Sequence, residues 1–181
     1  MGSSKELFLK YKSDSDAYVE SGTFSGDSIK IALDCGFENI YSCDINEEFV
    51  DKARNKYMNN PNVIILNYSS KISFDLFFGL INNKATIFLD GHAMPHDINN
   101  PLLGFGSDTV AQDIPSCPLM DELEVISNHH IKNHTILIDD VLCFGTWVFS
   151  GITMEQVSEK IFKINPAYKL SVENNVACYF I

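Results

Sequence analysis

Basic residues are scarce in this sequence, and arginine is almost absent. Only one of the 13 basic residues is an arginine, Arg54, against 24 acidic residues, so the formal net charge is −11. Proteins that bind nucleic acid neutralise phosphates with basic stripes, and anionic membrane surfaces attract the same residues. The composition therefore argues against nucleic acid and membranes as partners, and we expect a small-molecule partner.

Paired cysteines and long apolar runs are also missing. The five cysteines are widely spaced and include no Cys-x-x-Cys pair, so neither a zinc ribbon nor a redox motif is indicated. Such thiols are typical of a reducing compartment. No run reaches the roughly 18 apolar residues that a membrane span needs. We therefore expect a cytoplasmic protein, and its 181 residues predict a single domain.

Short apolar strands alternate with amphipathic helices along the chain. The strand patterns cover 17–20, 39–43, 63–66, 85–89 and 135–138, and the helical patterns cover 27–35, 46–57, 74–81, 118–130 and 154–162. Two further strands, 169–173 and 176–180, flank Asn174-Asn175 as a hairpin. Continuous apolar strands joined by helices predict a doubly wound, mostly parallel α/β sheet of seven strands, closed by this antiparallel hairpin.

One segment, residues 92–117, interrupts the alternation. It contains His92, His96 and three prolines without any periodicity. A loop of this length inside a compact domain is usually a functional lid or a disordered excursion. Because it follows the carboxyl end of a strand, where doubly wound sheets bind their ligands, we interpret it as a candidate lid.

A glycine turn and an aspartate follow the first two strands. Gly22 and Gly26 mark a tight turn whose backbone N–H groups can approach a ligand closely. Asp44 follows Gly22 at about the 20-residue spacing of an acid that binds ribose hydroxyls. Each feature alone also fits a structural turn or a solvated carboxylate. Together they favour a nucleoside ligand, and the lack of Gly-x-Gly-x-x-Gly or of a P-loop lysine argues against a demanding phosphate group.

Four motifs at the predicted strand ends point to one family. They are Val19-Glu20-Ser21-Gly22-Thr23-Phe24-Ser25-Gly26, Cys43-Asp44-Ile45, Phe88-Leu89-Asp90-Gly91-His92 and Ile138-Asp139-Asp140. This set resembles the class I S-adenosylmethionine-dependent methyltransferases, and the resemblance runs from about residue 17 through the terminal hairpin. It implies that the chain binds S-adenosylmethionine and has the Rossmann-like methyltransferase fold.

The resemblance also implies which residues surround the cofactor. They are Glu20, Gly22, Thr23 and Gly26 on the methionine side, Asp44 at the ribose, Ile45 at the adenine, and Asp90. The third strand departs from the family pattern, because an acid near the adenine amine is replaced by Asn67-Tyr68-Ser69-Ser70. Ser69 is the expected substitute for that acid.

Three aspartates at two strand ends predict a metal site. Carboxylate oxygens suit Mg²⁺ or another hard divalent cation, whereas zinc would favour His or Cys. Asp90, Asp139 and Asp140 are similar to the magnesium ligands of metal-dependent O-methyltransferases of the catechol and macrolide-sugar types. Adjacent strand residues point to opposite faces, so one of Asp139 and Asp140 could instead be a cap or surface residue.

Such a metal would hold a substrate hydroxyl and lower its pKa. His92, two residues after Asp90, is the candidate general base, because an unperturbed imidazole pKa of ~6.5 suits proton removal at neutral pH. We place both residues in the catalytic set, with His96 as a second candidate base; each histidine could equally be solvated. The predicted activity is methyl transfer to a hydroxyl of a small molecule, such as a sugar or polyphenol.

Three alternatives remain open at this point. They are an inactive nucleoside-binding module, a nicotinamide-dependent oxidoreductase, and an assembly protein with a vestigial crevice. The Gly22-x-x-x-Gly26 spacing and the terminal hairpin argue against the oxidoreductase. The chain is short for a metal-dependent O-methyltransferase, and no helix is expected before the first strand. Acceptor binding would then need loop 92–117, the aromatic turn near Trp147 or a second subunit of a homo-oligomer.

Overall fold

A computed structural model of the chain describes residues 3–92 and 117–181. The helices are α1 (Lys5–Lys12), α2 (Asp27–Asp34), α3 (Glu47–Tyr57), α4 (Ser70–Phe78), α5 (Leu119–Asn128) and α6 (Met154–Ile164). The strands are β1 (Ala17–Ser21), β2 (Asn39–Cys43), β3 (Val63–Leu66), β4 (Ala85–Leu89), β5 (Thr135–Ile138), β6 (Lys169–Glu173) and β7 (Val176–Phe180). Two short 3₁₀ turns, Val141–Cys143 and Trp147–Phe149, follow β5.

The strands form one seven-stranded sheet in the order β3-β2-β1-β4-β5-β7-β6. Strands β1 to β5 pair in parallel, and β7 runs antiparallel between β5 and β6. The predicted doubly wound sheet with its antiparallel hairpin is therefore confirmed. The strand order reverses between β1 and β4, and ligands of such sheets bind beyond the carboxyl ends at that point.

Two apolar layers cover the sheet. Helices α1, α2 and α3 pack on one face, where Phe8 contacts both Tyr18 of β1 and Phe88 of β4. Helices α4, α5 and α6 pack on the other face around Phe74 and Phe77. Strands β1, β4 and β5 are buried along their whole length, which explains their continuous apolar sequences. Within the described residues, no helix has the length and apolar character that crossing a membrane requires.

The structure corrects the helix assignments at two places. Helix α1 precedes the first strand, where no helix was expected; Ser4 caps it by accepting from Leu7 N–H at 3.2 Å. Its short apolar stripe, centred on Phe8, gains its stability from packing on the sheet. Helix α4 begins at Ser70 rather than at residue 74 and ends at Phe78 rather than at residue 81. Its first turn is closed by a hydrogen bond from Ser73 N–H to the Ser69 carbonyl, at 2.9 Å.

Candidate functional site

The glycine turn after β1 is fastened to the end of β2. The backbone N–H groups of Gly22 and Thr23 donate to the Cys43 carbonyl at 2.9 and 3.2 Å. The Asp44 carboxylate then accepts from Phe24 N–H at 3.0 Å and from Asn46 N–H at 2.9 Å. The turn and Asp44, which the sequence predicted to bind one ligand together, therefore form one unit. Each carboxylate oxygen retains lone pairs for further donors such as ribose hydroxyls.

Glycine is required at the start of this turn. Gly22 has a φ of +87°, and a Cβ there would lie 2.5 Å from the Asp90 carbonyl oxygen. Gly26, with a φ of +69°, opens α2 and approaches the ring of Tyr57, whose hydroxyl donates to its carbonyl at 2.5 Å. The close approach of Gly22 to Asp90 brings the ends of β1 and β4 into contact at the switch point of the sheet.

Glu20 lies below the turn. Its side chain is 1% exposed and accepts hydrogen bonds from Tyr18 Oη at 2.8 Å and Ser42 Oγ at 2.7 Å. Burial raises the pKa of Glu20 to about 7, although the hydroxyl groups around it oppose that rise. In this arrangement Glu20 supports the floor of the crevice. Thr23, also buried, hydrogen-bonds to Ser42 at 2.5 Å and joins the same network.

Apolar side chains border Asp44 on the outside. Ile45 and Phe24 are exposed, and the Phe24 ring meets the edge of Phe49 with the ring centroids 4.8 Å apart. These side chains offer an apolar surface to a flat ring beside the predicted ribose site. Ser69 is exposed just before α4, and its hydroxyl makes no capping bond to the helix.

An aspartate–histidine cluster lies beyond β4 and β5. Nε2 of His92 is 3.4 Å from Oδ1 of Asp90 and 3.2 Å from Oδ2 of Asp140. One ligand atom from each of the three residues lies within 4.8 Å of the others, a spacing that suits a metal ion. The sequence predicted Asp90, Asp139 and Asp140 as ligands, and the structure brings His92 into the position expected for Asp139.

Backbone conformation separates the two neighbouring aspartates. Asp140 has a left-handed φ of +54°, and Asn175 Nδ2 donates to its Oδ1 at 2.8 Å. Asp139 is 7% exposed, and its Oδ1 accepts from the Asp140 N–H at 2.7 Å. Burial, reinforced by the nearby charge of Asp90, raises the pKa of Asp139 to about 6. Asp140 therefore faces the cluster, and Asp139 lies beneath it.

A buried carboxyl group that sequence reasoning missed adjoins this cluster. Glu122 of α5 is 1% exposed, and its Oε1 has no hydrogen-bond partner among the described residues. It lines a small cavity together with Gly91, His92 and Phe149. Burial raises the pKa of Glu122 to about 7, and the nearby hydroxyls of Ser70 and then Ser21 oppose that rise. In the sequence, Glu122 occupies a position of α5 that the helical pattern assigns to the buried apolar face, and this could have identified it.

Aromatic residues support His92 and border the cluster. The Phe149 ring is 5.1 Å from the His92 ring and 4.7 Å from the Phe144 ring, measured between centroids. Trp147 and Leu142 are exposed on the neighbouring 3₁₀ turns. His96 and nearly all of the predicted lid, residues 93–116, lie outside the described residues.

Comparisons with known proteins identify the fold. No family model matches the sequence, and no curated protein matches it. The structure is similar to the MycE methyltransferase of the mycinamycin pathway, solved with Mg, SAH and mycinamycin VI (TM-score 0.59, 12% identity, covering 97% of this chain and 47% of MycE). The chain has the Rossmann-like methyltransferase fold.

Two further solved structures show the same fold. The SAH-bound methyltransferase PaMTH1 of Podospora anserina has a TM-score of 0.59 at 11% identity, covering 97% of this chain and 75% of PaMTH1. The ribosomal protein L11 methylase of Lactobacillus delbrueckii has a TM-score of 0.55 at 11% identity, covering 97% and 74% of the two chains. At these identities the similarity establishes the architecture, while activity depends on the residues of the site.

Proposed function

We propose that the protein is an S-adenosylmethionine-dependent methyltransferase. The observation that carries this proposal is the unit formed by the glycine turn and Asp44 at the switch point of the sheet. It combines a close backbone approach at Gly22 with a carboxylate oriented by Phe24 N–H and Asn46 N–H. Two of the similar structures, MycE and PaMTH1, were solved with SAH, the product that remains of this cofactor after transfer.

The residues around this unit would contact each part of the cofactor. Asp44 would accept from the ribose hydroxyls, and Ile45 with Phe24 would cover the adenine ring. Ser69, exposed just before α4, would offer a hydroxyl to that ring. The turn from Gly22 to Gly26 would surround the methionine moiety, with Glu20 and Thr23 holding it from below.

We further propose that Asp90, His92 and Asp140 bind a divalent cation. Two carboxylates and one imidazole form a donor set suited to Mg²⁺ or Mn²⁺, and three protein ligands leave positions open for an acceptor oxygen. A bound cation would lower the pKa of an acceptor hydroxyl. His92 Nε2 faces the carboxylates of Asp90 and Asp140. A proton on Nε2 and a cation would therefore compete for the space between these three groups. Phe149 keeps the imidazole in this orientation.

The acceptor that fits best is a hydroxyl group of a small molecule. Exposed Leu142 and Trp147 supply apolar surface close to the cluster, whereas the net charge of −11 disfavours RNA. The similar structures include a methylase of ribosomal protein L11, so a protein acceptor is the second candidate. SAH formation, measured with phenols and sugars against ribosomal protein and RNA, would test the assignment. Turnover only with a macromolecule would contradict it.

The cofactor assignment predicts a large effect at Asp44. Asp44→Asn should weaken SAH binding at least tenfold, about 1.4 kcal/mol, because the amide cannot accept from two ribose hydroxyls as a carboxylate does. Calorimetric titration of the two proteins measures the difference. The control is Asp51→Asn on α3, an exposed acid whose side chain is 63% accessible, which should leave affinity unchanged. Absence of SAH binding by folded wild-type protein would refute the proposal.

The metal assignment predicts an effect at Asp140. Asp140→Asn should weaken Mn²⁺ binding at least about tenfold, since a carboxylate ligand is lost. Titration of the protein followed by electron paramagnetic resonance measures free Mn²⁺. Asp121→Asn, an exposed acid on α5, is the matched control. If Asp139→Asn weakens Mn²⁺ binding more than Asp140→Asn does, Asp139 is a metal ligand, as predicted from the sequence. Absence of Mn²⁺ binding by the wild-type protein would exclude this metal site and leave the cofactor assignment intact.

A further inference from the structure

An apolar surface lies on the side of the molecule away from the α1–α3 layer. Its side chains are all exposed, and we call them the α4 patch: Ile64, Tyr68, Ile72, Leu76 and Leu80. Ile72, Leu76 and Leu80 follow one another at intervals of four residues. Soluble monomers seldom expose contiguous apolar patches of this kind unless the patch has a binding role.

Helix geometry makes this patch continuous. Lys71 pairs with Asp121 of α5 at 3.5 Å, so that flank of α4 faces α5. Successive residues are about 100° apart around a helix, which places Ile72 and Leu76 about 100° and 140° around α4 from Lys71, on the side turned away from α5. The outer edge of the sheet, formed by β3, is the edge on that side.

Ile64 of β3 extends the patch from the helix onto the sheet. It is in register with Tyr41 of β2, and neighbouring residues in register share a face of the sheet. Tyr41 contacts Phe77 of α4 with ring centroids 5.3 Å apart. Ile64 therefore lies on the same side of the sheet as α4, next to its exposed flank.

Charge distribution indicates what covers the patch. Residues 58–83, which include all of it, carry one lysine and one aspartate and are therefore neutral, while the whole chain carries −11. Two copies of so acidic a chain repel one another over most of their surface. The neutral α4 patch is where they can approach without that cost, and its apolar side chains supply the attraction.

The edge of the sheet is partly closed to pairing with another strand. Arg54, the single arginine of the chain, donates to the Ile65 carbonyl of β3 from Nε at 3.0 Å and from Nη2 at 2.8 Å. A carbonyl held in this way is not available to an added strand, which is a common means of protecting an edge. We therefore expect contact at this edge to use side chains.

We propose that the α4 patch is the interface of a homodimer in which two α4 helices pack antiparallel across a twofold axis. A twofold contact is self-complementary, so each residue meets a counterpart on the same surface. With the axis crossing the exposed side of α4 at the level of residue 74, Ile72 of one copy meets Leu76 of the other, and Tyr68 meets Leu80. This inference does not depend on the proposed enzymatic activity.

Sedimentation velocity of the full chain tests the proposal. Wild-type protein should be dimeric, and Leu76→Glu should raise the dimer dissociation constant at least about 100-fold, because it places an unpaired charge in an apolar contact. Leu9→Glu on α1 is the matched control, since Leu9 is 54% exposed and Leu76 is 52% exposed. It should remain dimeric, and thermal unfolding should show that both variants are folded.

A mixing experiment tests the antiparallel geometry. Ile72→Lys alone should be monomeric for the same reason as Leu76→Glu, and an equimolar mixture of the two should form a heterodimer. In that mixture the new lysine faces the new glutamate, while the remaining Ile72 and Leu76 still meet. A wild-type protein that stays monomeric up to ~100 μM overturns the proposal, as does a dimer that Leu76→Glu leaves intact. Monomers in the mixture overturn the antiparallel arrangement.

Discussion

Replacing Gly22 with alanine is expected to lower the free energy of unfolding by about 3 kcal/mol and to abolish SAH binding. Two costs combine. A φ of +87° is unfavourable for any residue with a Cβ, and this Cβ would lie 2.5 Å from the carbonyl oxygen and 2.9 Å from the carbonyl carbon of Asp90. Both are backbone atoms at the end of a buried strand, so β1 and β4 would have to separate and the turn would lose its contact with Asp44.

Gly36→Ala separates these two costs. Gly36 has a similar φ of +75°, but a Cβ there would lie 3.6 Å from Lys12 Nζ, the end of a flexible side chain. This variant should lose about 1 kcal/mol and keep its affinity for SAH. Chemical denaturation and calorimetry provide both quantities. Equal losses of stability in the two variants would show that the contact between Gly22 and Asp90 is not tight.

Glu122→Gln is expected to stabilise the protein at pH 8 by about 3 kcal/mol. Burial raises the pKa of Glu122 from 4.5 to about 7 in the folded state. The folded state therefore binds the Glu122 proton more tightly than the unfolded state does. The contribution of Glu122 to the free energy of unfolding falls as pH rises from 4.5 to about 7 and is constant above that pH. Glutamine has nearly the same shape, can donate to the nearby serine hydroxyls and never ionises, so it removes this loss.

Urea denaturation across the pH range measures the predicted difference. The two proteins should have the same stability near pH 4.5 and should diverge steadily up to about pH 7. The comparison also cancels the contributions of Glu20 and Asp139, which burial shifts in the same direction in both proteins. A variant that is less stable at pH 8 would show that ionised Glu122 is compensated within the fold. A gain would indicate that the chain retains a destabilising carboxyl group beside His92.

The sheet, and the edge at which the candidate site residues meet, could be predicted because both depend on short-range patterns. Strands such as β4 are continuous apolar runs, and parallel strands bring their carboxyl ends to one edge. This is why Asp44 and Asp90 were expected near one crevice. Helix α1 escaped prediction because eight residues with a short apolar stripe resemble a loop until packing against Phe88 is known.

The details of the site depend on conformations that sequence does not show. The left-handed φ of Asp140 turns its carboxylate toward Asp90 and leaves Asp139 below, although the two residues are adjacent and chemically identical. His92 was expected to act as a base, and its position between two carboxylates became visible only with the fold. Glu122 is distant in sequence from every motif, and only the packing of α5 brings it to the cluster.

Hydrogen–deuterium exchange with and without SAH tests the central claim most directly, because it locates the ligand without any knowledge of the acceptor. At saturating SAH, backbone exchange should slow in peptides covering 21–26 and 43–46, where the glycine turn and Asp44 meet. The hairpin β6–β7, on the far side of β5, should exchange as before and serves as an internal control. Unchanged exchange in the first two peptides, or protection confined to other regions, would contradict a cofactor site at the switch point of the sheet.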